Sequence, residues 1–166
     1  MKVKMGFEIR KAETSDITPL ASIISKAFED EAWRAGINAQ SNPAHPSNCS
    51  PERLLQEMNR GISFYILEDE GRPCGCVGVE TISDEVCRLD KLAVLPSEQH
   101  RGLGSALVRH ALSEARQMKL FRVQISISAE DRHLHDWLEK LGFEDTPQKA
   151  LPHLVIPVSL MTYYCL

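Results

Sequence analysis

The sequence predicts a mixed α/β domain, and three observations lead there. Short strand-like runs between residues 63 and 95 are divided by turn residues, as in an antiparallel meander. Apolar residues at helical spacing lie on both sides of that region. Val86–Leu95, a long amphipathic stripe and Val123–Ser128 then follow one another, the pattern of a right-handed crossover that makes strands 86–95 and 122–128 parallel. The chain of 166 residues is long enough for one domain with its own core, taken here as 1–166.

Taken in order, Phe7–Lys11 reads as a first strand. Thr14, Ser15 and Asp16 offer capping oxygens to a helix whose stripe is Ile17, Leu20, Ala21, Ile24, Ala27 and Phe28. Glu29-Asp30-Glu31 closes it as a solvated acidic patch. Residues 36–48 are irregular, because Pro43 and Pro46 disfavour helix in the residues before them. Ser50-Pro51-Glu52 supplies a cap, a proline at the first position and an acid in the first turn, so a helix runs from there to about Arg60, with Gly61 as its stop.

Strands are expected at 63–68, 74–82 and 86–95, with the turn Asp69–Pro73 joining the first two. A helix begins near Gly102 with the stripe Leu103, Leu107, Ala111, Ala115 and Met118. Val123, Ile125 and Ile127 alternate as in a half-buried strand. Ser128 and Asp131 resemble a capping box for a helix carrying Leu134, Trp137, Leu138 and Leu141, ended by Gly142-Phe143. Two last strand candidates fall around Leu154 to Tyr164.

Hydrophobic residues make up 43% and charged residues 25%, as in a soluble globular protein, and no apolar run approaches the ~20 residues of a membrane span. A net charge of −4 argues against nucleic-acid binding. The expectation is a cytoplasmic protein with no membrane partner. Cys49, Cys74, Cys76, Cys87 and Cys165 are odd in number and scattered, which suits reduced thiols. Cys74 and Cys76 share a strand face and read as packed core thiols, since no second pair follows to complete a metal site; no metal is expected.

The chemistry concentrates in Leu92-Ala93-Val94-Leu95-Pro96-Ser97-Glu98-Gln99-His100-Arg101-Gly102-Leu103-Gly104-Ser105. A strand stops at a proline, a polar loop follows, and two glycines open a long helix. The first amides of a helix lack intrahelical partners and lie at the positive end of its dipole. Glycines let a phosphate approach them closely, and Arg101 adds positive charge. The run is neither a Walker loop nor a dinucleotide fingerprint, since Leu107 stands where the latter needs glycine or alanine.

Gln99-x-x-Gly102-x-Gly104 behind such a strand resembles the signature of the GNAT superfamily of acyl-CoA-dependent N-acetyltransferases. Ala12–Asp16, Glu70-Gly71-Arg72-Pro73-Cys74-Gly75 and Trp137-Leu138-Glu139-Lys140-Leu141-Gly142-Phe143 extend the resemblance over residues 7–143. It implies a central mixed sheet of about 6–7 strands, helices on both faces and a splayed parallel strand pair that admits pantetheine. Leu92, Ala93 and Val94 would pair with that arm, and the amide near Val94 would face the thioester carbonyl. Gln99, His100, Arg101, Gly102, Leu103, Gly104 and Ser105 would hold the pyrophosphate of acetyl-CoA, which serves as co-substrate.

The implied reaction is direct attack by a primary amine (of a small molecule, an amino acid or a protein) on the acetyl thioester. Glu80 and Asp90 are the candidate bases, Asp90 because it shares strand parity with Leu92 and Val94; an ion pair of Asp90 with Arg88 or Lys91 is the competing role. The family's usual proton-donating tyrosine falls on Leu138, which cannot donate. Water, Tyr163, Tyr164, His133 or His135 must then serve, or no acid is used. His45 in the proline-rich loop could reach an acceptor or decorate the surface, and Trp33 and Trp137 read as core or cleft wall. A non-catalytic sensor that binds acetyl-CoA remains the alternative, and either a monomer or a homodimer is compatible with the sequence.

Overall fold

The computed structural model describes residues 6–147 and 157–165. The strands are β1 (Phe7–Lys11), β2 (Ser63–Asp69), β3 (Arg72–Thr81), β4 (Val86–Val94), β5 (Arg122–Ser128), β6 (Glu144–Asp145) and β7 (Val158–Tyr164). The helices are α1 (Ile17–Ala27), α2 (Glu29–Arg34), α3 (Pro51–Asn59), α4 (Leu103–Gln117) and α5 (Arg132–Lys140). The sheet has seven strands in the order β1-β2-β3-β4-β5-β7-β6, with β4 and β5 parallel. The predicted mixed α/β class and its parallel pair are therefore present.

By its internal contacts the chain divides into two units, one up to Gly78 with Lys91–His110, the other Val79–Asp90 with Ala111 onward. In the first, β1 runs antiparallel to β2, with Phe7 opposite Asp69 and Lys11 opposite Tyr65. Its core gathers Ile17, Leu20, Ile24, Leu54, Phe64, Ile66, Cys76 and Ala93. The leucine and isoleucine positions of α1 fall one turn apart, so one face is apolar and packs on α3 and on the turn Pro46–Asn48. Each fully buried side chain of this kind contributes roughly 1.5–3 kcal/mol. Ser50 caps α3 as expected, its Oγ accepting from the Arg53 amide at 3.2 Å.

In the second unit, β5 pairs antiparallel with β7 from Arg122 opposite Tyr164 to Ser128 opposite Val158. Leu112, Ala115, Val123, Ile125, Leu138, Phe143 and Met161 are among its buried side chains.

The structure corrects several local expectations. Glu29, Asp30 and Glu31 do not close α1; they form the first turn of α2, where acids favour the positive end of a helix dipole. Asp131, not Ser128, caps α5, accepting from the Leu134 amide at 3.0 Å. Met118 lies beyond the end of α4 and is exposed. Of the last two strand candidates, β7 is present and its described edge partner is the short β6; Leu154 lies outside the described residues. Trp33, expected in core or cleft wall, is 82% exposed.

Candidate functional site

Strand β4 positions the site. Its parallel pairing with β5 covers Val86–Leu89 against Arg122–Ile125. At Lys91 the backbone turns left-handed, with φ of 52°, which for a residue with a Cβ costs about 1–2 kcal/mol and marks a bulge. Two neighbours over-determine this conformation. The Lys91 carbonyl accepts from the Cys76 thiol at 3.6 Å, and its ammonium donates to Glu57 Oε1 at 2.9 Å. Both side chains of that ion pair are buried. The regular pleat is thus interrupted between Asp90 and Leu92, so the parity that set Asp90 beside Leu92 and Val94 does not carry across Lys91.

Beyond the bulge, β4 lies against β3 at very close range. A Cβ added to Gly75 would sit 2.9 Å from the Ala93 carbonyl oxygen and 3.0 Å from Leu107 Cδ1. Glycine is what permits that approach, and Ala93 is buried there. The Leu95 amide then donates to the Cys74 carbonyl at 2.8 Å, and Pro96–Glu98 forms a short 3-10 turn. The Gln99 side chain donates to the Val94 carbonyl at 3.4 Å, folding the loop back on the strand end.

His100 and Gly102 both have left-handed backbone, with φ of 67° and 78°. Left-handed residues in a turn aim successive amides into one concavity, an arrangement suited to an anion. Helix α4 starts at once, its Leu103 side chain anchored in the core and its first i to i−4 bond running from the Ala106 amide to the Gly102 carbonyl. The amides of Leu103 and Gly104 precede that bond, at the positive end of a 15-residue helix.

Arg101 is engaged by neighbouring acids, which the sequence does not reveal. Its guanidinium donates to Asp69 Oδ2 at 2.8 Å and to Glu98. Those two acids raise its already high pKa, Asp69 contributing more. Much of its positive charge is therefore answered within the protein, and its evident work is to pin the loop to the end of β2. Asp69, Cys74 and Glu98 lie close enough together to suggest a metal cluster, but Arg101 already supplies the cation for both of its acids.

The remaining predicted residues fall in three environments. Glu80 and Asp90 are half-buried on β3 and β4. Tyr164 pairs with Arg122, the first residue of β5, and meets Phe121 edge-on; Tyr163 accepts from Arg116 at 2.6 Å and packs on Phe143. Leu138 is fully buried in the core of its unit, and His133 is exposed. His135 is held by Asp145 at 2.8 Å, and this carboxylate first, with Asp136 and Glu139, raises its pKa.

His45 is no surface decoration: it is 6% exposed. Its Nδ1 accepts from the Ser47 amide at 3.1 Å, which leaves Nε2 to donate to Glu31 at 2.8 Å. The loop between α2 and α3 is thereby tied to the first turn of α2. Cys74 and Cys76 are buried thiols, as expected. Sequence reasoning missed Glu57, Asp69 and Glu98 as site-shaping acids. Glu57 had a readable signal, since an acid one turn from Leu54 and next to Met58 stands on the apolar face of its helix.

With this geometry described, the sequence model of the acetyltransferase (GNAT) family matches residues 25–143. This chain belongs to the GNAT acetyltransferase family. An amino-acid acetyltransferase of Neisseria meningitidis is 28% identical to this GNAT domain over 145 residues, covering 87% of the chain but 29% of the relative's length. Among solved structures, the PaiA N-acetyltransferase of Thermoplasma acidophilum in complex with coenzyme A superposes with a TM-score of 0.79 at 18% identity, covering 96% of this chain and 99% of that one. The N-acetylglutamate synthase of Neisseria gonorrhoeae, complexed with coenzyme A and N-acetyl-glutamate, gives 0.73 at 23% identity, covering 98% of this chain and 36% of that one. These structural likenesses establish the shared GNAT fold.

Proposed function

We propose that this GNAT domain transfers the acetyl group of acetyl-CoA to a primary amine, and that the turn from Gln99 to Ser105 holds the pyrophosphate. The observation that carries this reading is the left-handed pair His100 and Gly102 leading directly into α4 behind a strand of the GNAT sheet. In that arrangement backbone amides, rather than the guanidinium of Arg101, do most of the work on the phosphates. The backbone of Leu92, Ala93 and Val94 pairs with the pantetheine arm, and the amide near Val94 polarises the thioester carbonyl.

The acceptor's ammonium first loses a proton, with Glu80, Asp90 or a water chain as its route. The nitrogen lone pair attacks the thioester carbon, the C–S bond breaks, and the CoA thiolate takes up one proton. The balance is one ammonium and one acetyl-CoA giving one N-acetylated amine, one CoA thiol and one released proton. A thiolate with a pKa of ~8.5 leaves without strong acid assistance. A buried leucine at 138 is compatible with that chemistry.

Calorimetric titration with acetyl-CoA, followed by a thiol-release assay with a panel of amines, tests the reading. Saturable binding with amine-dependent thiol release is the expected result. Binding with no release across the panel would support a sensor, and absence of binding would refute the assignment of the loop.

A further inference from the structure

Glu31, His45 and Ser47 form a chain of hydrogen bonds that the acetyl-transfer reading leaves unused. Glu31 Oε2 lies 2.8 Å from His45 Nε2, and His45 Nδ1 lies 2.8 Å from Ser47 Oγ. The Ser47 amide also donates to Nδ1, at 3.1 Å. That third contact decides the tautomer. An amide N–H only donates, so Nδ1 carries no hydrogen, and the proton of the neutral ring sits on Nε2, facing the carboxylate. In its 2.8 Å contact the Ser47 hydroxyl is therefore the donor, with its hydrogen aimed at a basic nitrogen.

A carboxylate, an imidazole and a hydroxyl in this order are the parts that make a serine nucleophilic. The carboxylate orients the ring and stabilises the imidazolium that forms when the ring takes the hydroxyl proton. The two ring nitrogens exchange the roles they have in the serine proteases, but both belong to one conjugated ring, so the logic is the same. The arrangement is also set in advance. His45 is 6% exposed, and its ring meets Phe28 edge-on with centroids 6.2 Å apart. The His45 amide donates to the Asn42 carbonyl at 3.2 Å, and the Asn48 amide to the His45 carbonyl at 2.9 Å. The Asn48 side chain donates to the Asn42 carbonyl at 2.8 Å, and Pro46 fixes the backbone between His45 and Ser47. Ser47 is half-buried rather than sealed. Capping the turn Pro46–Asn48 needs only the amide contact to His45; it accounts for neither the hydroxyl at Nδ1 nor the carboxylate behind the ring.

We propose that Ser47 is a nucleophile activated by His45, with Glu31 as the positioning residue, and that it takes acyl groups from activated esters and thioesters. Ser47 Oγ attacks the acyl carbon as its proton passes to His45 Nδ1. The Oγ–C bond forms, the C–O or C–S bond of the donor breaks, and the leaving oxyanion or thiolate takes the proton back from Nδ1. One donor and one serine give one O-acyl serine and one alcohol or thiol. An activated ester needs no coenzyme site, so this reactivity stands apart from the acetyl-transfer reading.

The test is covalent labelling of the full chain by p-nitrophenyl acetate and, in a second arm, by acetyl-CoA, with the rate read by mass spectrometry and the site by peptide mapping. Ser47 should be acetylated about 100-fold or more faster than the exposed Ser22, which is the range of general-base assistance. Ser47→Ala should remove that label with the fold retained. His45→Ala should slow labelling of Ser47 by about 100-fold. Glu31→Gln should slow it by about 10-fold, and Glu31→Asp should restore part of the rate, a rescue that loss of the loop's structure would not give. If the buried His45 variant fails to fold, the two Glu31 variants carry the test, since that side chain is 36% exposed. Labelling of Ser47 no faster than Ser22, or an unchanged rate in folded His45→Ala or Glu31→Gln, overturns the proposal. Labelling by the ester but not by acetyl-CoA overturns its thioester part.

Discussion

Two basic regions of this molecule use their charge in opposite ways. Arg101 sits on the glycine turn, where sequence alone assigns it to phosphate, yet Asp69 and Glu98 hold its guanidinium. Arg53 on α3 and Arg60 just beyond its last turn line a cleft, and among the described residues neither forms a salt bridge. At the glycine turn the arginine is held by two acids and ties the loop to the end of β2. A formal charge is thus a poor guide to an anion site until the neighbouring acids are counted.

The strongest test of this contrast is Gly104→Asp. A carboxylate at the second position of α4 is favourable for an empty helix N-terminus but repels pyrophosphate, so the fold should hold while acetyl-CoA affinity falls by about 100-fold or more. Unchanged affinity by calorimetry would break the assignment. Gly75→Ala comes next. Its methyl would press on the Ala93 carbonyl and on Leu107, so thermal unfolding should show a loss of about 1–3 kcal/mol, and acetyl-CoA binding should weaken by roughly 10-fold as β4 is displaced.

The smallest effect sharpens the comparison most. If Arg101 is a latch, Arg101→Ala and Asp69→Asn should each weaken acetyl-CoA binding by about 3- to 10-fold, and the double variant by no more than either alone. If Arg101 instead contacts phosphate directly, Arg101→Ala alone should weaken binding, while Asp69→Asn, which frees the guanidinium, should leave it unchanged or tighter.

Much of the fold was legible because periodicity and capping are local. Ser50-Pro51-Glu52 begins α3, Glu70-Gly71 turns β2 into β3, and Gly102 opens α4, each through backbone preferences that operate over four residues or fewer. Errors arose where a local signal had two outcomes. The acidic run at 29–31 ends one helix as readily as it starts another, and Trp33 carries no mark of its 82% exposure. The position of His45 was equally unreadable, since its partner Glu31 lies fourteen residues away in sequence.

The sequence by itself determined the α/β order, the parallel crossover and the place of the glycine turn before α4, because glycine, proline and apolar spacing act through short-range sterics and burial. Only the tertiary structure decided which charges are already answered. Lys91 meets Glu57 across 34 residues and Arg101 meets Asp69 across 32, and such pairings depend on how helix and strand pack rather than on any neighbour in the chain. That packing set Arg101 between two acids and left Arg53 and Arg60 on a cleft without an acid partner among the described residues.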